Sequence, residues 1–289
     1  MASLIYHAGA LGDFITVLPA ISRWRRAHAG EKLALLGKPA HAAISAPPFD
    51  ETWDAEARMF AGLFSGHGGR EPATGEKLAA IASALVYARA ESPLPGALAA
   101  AGVREIVRQD PFPPSVTHVV DFHLSIFPGP VRDEERLPRI FIPQTEMMVP
   151  GPVVLHPGSG SRKKNWPLER YVELARRLID REERVVWVLG PAEEGTPIPS
   201  GDVTWSALSI QELAGRLALC RLFVGNDSGV THLAAAAGCP TVALFGGSDP
   251  RVWAPRGRTV SVITSETCGM KGITLEHVLS VCRDFLEAK

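Results

Sequence analysis

Short apolar runs alternate along this chain with stretches of helical periodicity, and few folds accommodate that alternation. Leu4 to Ala8, Leu33 to Leu36, Ala82 to Ala88 and Val103 to Val107 are strand-length runs in the first half. Val153 to His156, Arg184 to Leu189, Leu222 to Gly225 and Thr241 to Phe245 are their counterparts in the second. Between them Phe14, Val17, Leu18, Ile21, Trp24 and His28 recur at helical spacing, as do Leu168, Tyr171, Leu174, Ala175 and Leu178. Further helices are expected over Ser209 to Cys220, where Ser209 and Glu212 fit a capping box, and over Ser228 to Ala237. The pattern is that of an α/β protein with mostly parallel strands.

At 289 residues a single core stops growing, so two domains of roughly 150 residues are expected. The Pro-rich stretch Pro143 to Pro152 is the candidate linker. It separates a first Rossmann-like domain over 1–145 from a second over 153–272. A closing helix, 274–288, is expected to pack back on the first domain, and Arg58 to Gly75 fits no element. In two such doubly wound units facing a cleft, ligands bind at the carboxyl ends of the strands.

Composition removes several classes of function. Lys+Arg 30 against Asp+Glu 31 gives a net charge of −1, without the electrostatic footprint of a nucleic-acid binder. Cys220, Cys239, Cys268 and Cys282 show no C-x-x-C spacing, which argues against zinc or a disulfide framework and for a reducing cytoplasm. The start Met-Ala-Ser-Leu-Ile-Tyr-His does not read as a signal peptide. The longest mostly apolar stretch, Leu78 to Ala90, falls short of the roughly 20 residues of a membrane span. Trp24 with Arg23, Arg25 and Arg26 could dock on a membrane surface, or could form an ordinary solvated helix face.

Three loops stand at strand ends. In Gly9-Ala10-Leu11-Gly12-Asp13, Gly9 and Gly12 allow a tight turn and close approach to an acceptor. Asp13 reads either as the N-cap of the following helix or as a carboxylate facing a ligand, kept ionised by the helix N-terminus. The second loop runs from His156 through Gly158, Ser159 and Gly160 to Arg162-Lys163-Lys164 and Trp166-Pro167. It is neither a P-loop nor a G-x-G-x-x-G fingerprint, yet small residues, then cations, then a helix can hold phosphates. The third is Gly225-Asn226-Asp227-Ser228-Gly229-Val230-Thr231-His232, where Asp227 or Ser228 caps an alanine-rich helix. Ser228 and His232 share a helix face, although a lone histidine there more often packs than reacts.

Taken together the loops resemble glycosyltransferase family 9, the lipopolysaccharide heptosyltransferase family. The resemblance rests on Gly12-Asp13 with Pro19 and on His156-Pro157-Gly158-Ser159-Gly160 with Lys164-Asn165-Trp166-Pro167. It extends to Asn226 through Ala234, followed by Gly238-x-Pro240, Phe245-Gly246 and Cys268-x-Met270. It is strong over Leu4 to Arg26 and Val153 to Gly257 and thin between them. It implies a GT-B fold and an inverting, metal-independent transfer from an ADP-heptose-like donor, with no cofactor. The donor would lie on the second domain, and a glycan or lipid-linked acceptor of the inner membrane face against the first. Asp13 matches the family's base and Lys164 the lysine near the diphosphate. Asp227 matches a donor-contacting aspartate, with His156, Gly158, Ser159, Gly160, Ser228, Gly229, Thr231 and His232 beside it. The short, Pro-rich segment Gly195 to Gly201 departs from the family.

There is no Asp-x-Asp in the chain, so a metal clamp lacks its usual ligands. A sugar-nucleotide epimerase of the same fold and a non-catalytic nucleotide-sugar-binding module are the competing readings. A dehydrogenase lacks its glycine fingerprint.

Overall fold

Leu4 and Ile5 are wholly buried in β1 (Ala2–His7), which has neighbours on both edges and carries the centre of the first sheet. In the computed structural model, residues 66–70, 145, 147–149, 191–192, 194–196, 200–201, 266–268 and 288–289 are not described, and all others are. Parts of the expected linker and of the Gly195 to Gly201 segment, together with Cys268 and Ala288, lie outside the described residues. The chain divides into two units, Met1–Phe141 and Ile142–Lys289.

The first unit continues with α1 (Leu11–Ala27), β2 (Lys32–Gly37), α2 (Pro39–Ala42), β3 (Glu51–Asp54), α3 (Ala61–Phe64) and α4 (Pro72–Leu78). Then come β4 (Ile81–Tyr87), α5 (Leu94–Ala100), β5 (Glu105–Gln109) and α6 (Val119–Leu124). Its strands are all parallel in the order β3-β2-β1-β4-β5. Strands β1 and β2 approach so closely that a Cβ on Gly37 would stand 2.4 Å from the His7 carbonyl oxygen, so this position requires glycine.

Helix α1 corrects one expectation. It starts at Leu11, with Ala10 as the extended N-cap residue, so Gly12 and Asp13 are already helical and Asp13 is not the cap. The Asp13 carboxylate instead reaches back from the third helical position to accept the Ala10 N–H at 3.2 Å, half of a capping box. The Trp24 cluster is settled as well. Trp24 is 2% exposed and stacks on His28 at 4.1 Å. Arg23 donates to the Pro128 carbonyl at 2.8 Å, while Arg25 pairs with Asp50 and Arg26 with Glu135. With its tryptophan buried, this face has lost the membrane anchor the sequence suggested.

The second unit comprises β6 (Val153–His156), α7 (Leu168–Ile179), β7 (Val185–Val188), β8 (Val203–Trp205), α8 (Ile210–Leu217) and β9 (Leu222–Asn226). It continues through α9 (Gly229–Ala236), β10 (Thr241–Phe245), α10 (Pro250–Trp253), β11 (Val260–Thr264) and α11 (Leu275–Glu287). Its parallel order is β11-β10-β9-β6-β7-β8. Ser209 caps α8 with the expected Glu212 box, and Ser228, not Asp227, caps α9. Val278 and Cys282 of α11 are fully buried in the same core as Leu155, Leu174 and Leu244, so the helix uses its apolar side within the second unit.

Both orders are those of Rossmann-like sheets, in which the chain reverses direction across the sheet next to its first strand. That fixes where each unit's ligand site belongs. In the first unit it is the carboxyl end of β1 beside β4, and in the second the carboxyl end of β6 beside β9.

Candidate functional site

The β6 and β9 ends in the second unit are tied together by one buried side chain. Asn226, fully buried, donates through Nδ2 to the Pro157 carbonyl at 2.8 Å and the Gly158 carbonyl at 3.3 Å. Its Oδ1 accepts the Trp166 backbone N–H at 2.9 Å and the Tyr171 hydroxyl at 3.1 Å. Trp166, 1% exposed, donates from its indole to the Ile273 carbonyl at 2.9 Å. The loop after β6 is thus pinned at both ends, and the short 3₁₀ turn Arg162–Lys164 between them projects its cations.

Lys164, half-buried, donates to Asp227 Oδ2 at 2.7 Å, whereas its neighbour Lys163 is exposed. Ser248, in the loop after β10, donates to the same oxygen at 2.5 Å. Asp227 is 9% exposed, and the ammonium beside it offsets the cost of burying its charge. A carboxylate that holds a lysine while leaving the ammonium half-exposed orients that cation toward whatever binds at the strand ends.

His156 closes the floor. Burial pushes its pKa down, and a neutral ring 3.0 Å from the Val188 carbonyl carries its proton on Nδ1, leaving Nε2 as an acceptor. Gly158 is buried, and a Cβ on it would fall 1.9 Å from the Glu193 carboxylate, so a larger residue here would displace the Glu193 side chain. Glu193 in turn accepts the Gly190 N–H at 2.9 Å. Ser159 Oγ lies 2.6 Å from Asn165 Oδ1 and 2.8 Å from the Ser161 carbonyl, bracing the turn that exposes Gly160. On α9, Ser228 accepts the Thr231 N–H at 3.3 Å, and Thr231 Oγ1 donates to the Asn226 carbonyl. Gly229 opens that helix, and His232 is buried one turn in, bonded through its backbone to Ser228.

The structure therefore gathers His156, Gly158, Ser159, Lys164, Asp227, Ser228 and Thr231 around one switch point. Sequence reasoning missed Ser248, Glu193 and the linking role of Asn226. The signal for Ser248 was the run Gly246-Gly247-Ser248 immediately after a strand. Asp13, Gly9 and Gly12 belong to the first unit, at the end of β1 where its sheet reverses. Among the described residues no group of three or more His, Cys, Asp or Glu side chains could hold a metal ion, and no helix is long and apolar enough to cross a membrane.

Residues 144–277 match the family model of glycosyltransferase family 9 (heptosyltransferase). The chain thus resembles glycosyltransferase family 9 over residues 144–277. A 128-residue stretch is 36% identical to lipopolysaccharide heptosyltransferase 2 of Escherichia coli, covering 39% of this chain and 36% of that relative. The chain thus aligns with only about a third of the length of that curated relative.

In fold the likeness to solved structures extends over nearly the whole chain. The structure of E. coli ADP-heptose lps heptosyltransferase II superposes over 99% of both chains with a TM-score of 0.78 at 18% identity. The family 9 glycosyl transferase of Veillonella parvula gives 0.78 at 16% identity, over 99% of this chain and 97% of the other. The fold is GT-B, two Rossmann-like domains. All of the strand-end site residues of the second unit, Ser248 and Glu193 included, lie inside the family 9 match.

Proposed function

We propose that the chain is an inverting glycosyltransferase that moves a heptose-like sugar from an ADP-linked donor to a lipopolysaccharide-core or other glycan acceptor. The observation that carries this reading is the Lys164–Asp227 pair, joining two strand-end loops of the family 9 half. Held by Asp227, the Lys164 ammonium meets the donor diphosphate and gains importance as negative charge grows on the leaving oxygen. Gly158, Ser159, Gly160 and the start of α9, with Ser228, Gly229, Thr231 and His232, supply backbone and hydroxyl contacts to the same diphosphate. His156 Nε2 and Glu193 offer acceptors to the donor's hydroxyl groups.

Asp13 takes the proton of the acceptor hydroxyl as its oxygen attacks the anomeric carbon. The bond from that carbon to the diphosphate breaks, and its electron pair leaves on the nucleoside diphosphate. Charge on the leaving group is met by Lys164 and helix N-termini, with no metal ion required. A lipid-linked acceptor brings the protein to the cytoplasmic face of the inner membrane as a peripheral visitor.

The test is transfer from ADP-heptose to a panel of lipopolysaccharide-core acceptors, read by mass spectrometry with and without excess EDTA. A glycosylated acceptor with ADP released, in both conditions, is the expected result. Donor isomerised without an acceptor would make the chain an epimerase. Donor bound but never transferred would make it a binding module. Activity lost in EDTA and restored by Mg²⁺ or Mn²⁺ would overturn metal independence.

A further inference from the structure

The second half of α1 forms one wall of a cleft of about 820 Å³, a size that holds a whole small molecule. Arg25 and Arg26 line it from the helix, and Arg132 and Arg139 from the segment after α6. All of it lies within Met1–Phe141. Asp13 stands 13 residues before Arg26 on the same helix, about 20 Å along its axis. The cleft is therefore a separate place from the turn that carries Asp13, and the transfer scheme does not use it.

Its four guanidiniums are held in place without being used up. Arg26 Nη2 donates to Glu135 Oε1 at 2.5 Å, and Glu135 Oε2 accepts from the Arg132 backbone N–H at 3.1 Å and from its Nε at 3.4 Å. One carboxylate, 15% exposed, thus brackets two arginines. Arg25 donates to Asp50 at 2.6 Å, and Asp50 is fixed in turn by the Leu33 N–H at 2.7 Å. The side chain of Arg139 has no ion pair or hydrogen bond among the described residues. The walls are tied together as well, since Arg23 donates to the Pro128 carbonyl at 2.8 Å and the Phe141 N–H to the Ile44 carbonyl at 2.9 Å.

Charge decides what such a cleft takes. Against four guanidiniums its lining carries only Glu134 and Glu135, a surplus of two positive charges on a chain whose net charge is −1. Concave walls of one sign focus the field on whatever enters. A phosphate monoester, at about −1.5 to −2 near neutral pH, matches that surplus better than a single carboxylate does. The fork of a guanidinium also fits two phosphate oxygens at once. Nε and Nη1 of Arg26, both Nη of Arg132 and every donor of Arg139 remain for it among the described residues. The Ser22 hydroxyl and the Glu134 carboxylate also line the cleft without a hydrogen bond among the described residues, which suits a ligand that carries hydroxyls. A membrane surface cannot enter a concave cleft, and Trp24 of this helix is buried, so the occupant is a soluble molecule.

We propose that this cleft is a second ligand site, taking a soluble phosphorylated sugar or polyol. The phosphate sits among Arg26, Arg132 and Arg139, and the hydroxyls meet Ser22 and Glu134. The site uses neither Lys164 nor Asp13, so it stands or falls apart from the transferase reading.

The experiment is isothermal titration of the full chain at pH 7 with glucose 6-phosphate, ribose 5-phosphate and glycerol 3-phosphate, and with glucose and glucuronic acid as controls. Saturable binding of at least one phosphate ester is expected, weaker binding of the sugar acid and none of glucose. Added salt should weaken the binding, because the contacts are between charges close to solvent. Arg132→Ala and Arg139→Ala should each weaken it by about tenfold, the loss of a hydrogen bond to a charged group. Both arginines are exposed, so the melting temperature should stay where it is. Lys164→Ala should leave the binding unchanged. No saturable binding of any of the three esters, or equal binding of glucuronic acid, would overturn the inference. Binding that survives both arginine substitutions and is lost in Lys164→Ala would assign the phosphate to the donor loops, and the inference would fall. Capture by vesicles containing phosphatidic acid, without binding of the soluble esters, would make the cleft a membrane contact and overturn it equally.

Discussion

Lys163 and Lys164 are adjacent in sequence and opposite in circumstance, one exposed and the other held at 2.7 Å by a buried carboxylate. Lys164→Ala should therefore weaken donor binding and lose about 2–4 kcal/mol of transition-state stabilisation, read from kcat/KM. Lys163→Ala should be nearly silent, and the reverse pattern would assign the diphosphate to the wrong lysine. Asp13 is the second residue at which structure sharpens a prediction. Its carboxylate accepts a backbone N–H, a bond an Asn side-chain oxygen can also make, so Asp13→Asn should leave the melting temperature almost unchanged. Transfer in a single turnover should fall by roughly 10²–10⁴-fold if the carboxylate is the base. A folded variant that transfers at the parent rate would leave Asp13 a helix-start residue only.

At the scale of elements, legibility followed burial. Strands β1, β2, β4, β6, β7, β9 and β10 lie inside their sheets and carry apolar runs that the sequence displays. The strands missed, β3, β8 and β11, are all at sheet edges, and β3 and β8 mostly expose their side chains, so Glu51–Asp54 and Val203–Trp205 offer no apolar run to find. The donor-side loops were legible because their residues are contiguous. The buried rings of His7, His41, Tyr87 and His123 were not, since those positions are brought together only by strand order. Asn226 combines both cases, being visible in a motif yet silent about its partners. Asn226→Ala removes an acceptor for Trp166 and Tyr171 and a donor for two carbonyls. At about 1–3 kcal/mol for each buried group left unpaired, the loss should exceed about 3 kcal/mol in urea unfolding. A change below about 1 kcal/mol would mean that the loops hold their shape without it.

For the whole molecule, the two units differ in how acid reaches them. His7, His41 and His123 are all in the first unit, whereas His156 stands in the second. In the unfolded chain these rings titrate near 6.5, but burial in the folded first unit keeps them neutral down to about 3 for His7 and about 4 for the other two. Above pH 6.5 both states are neutral and pH has no leverage. Below it the unfolded chain takes up protons that the folded unit refuses, so stability falls as pH falls. The slope is roughly 1.4 kcal/mol per pH unit for each such histidine, until the folded values are reached. Carboxylates held low by hydrogen bonds from arginine, such as Glu173 at about 2, add to the loss only below their own unfolded value of 4.5. Between pH 6.5 and 4.5 the histidines therefore dominate, and the first unit, which holds three such rings, should weaken more steeply than the second. Hydrogen exchange, read separately over peptides of the two units at pH 7 and pH 5, measures this. Protection should collapse in the first unit while the second keeps most of its own, and His123→Phe should flatten the first unit's dependence by about a third. Equal loss in both units, or none, would mean that the three imidazoles are not held neutral in the folded first unit.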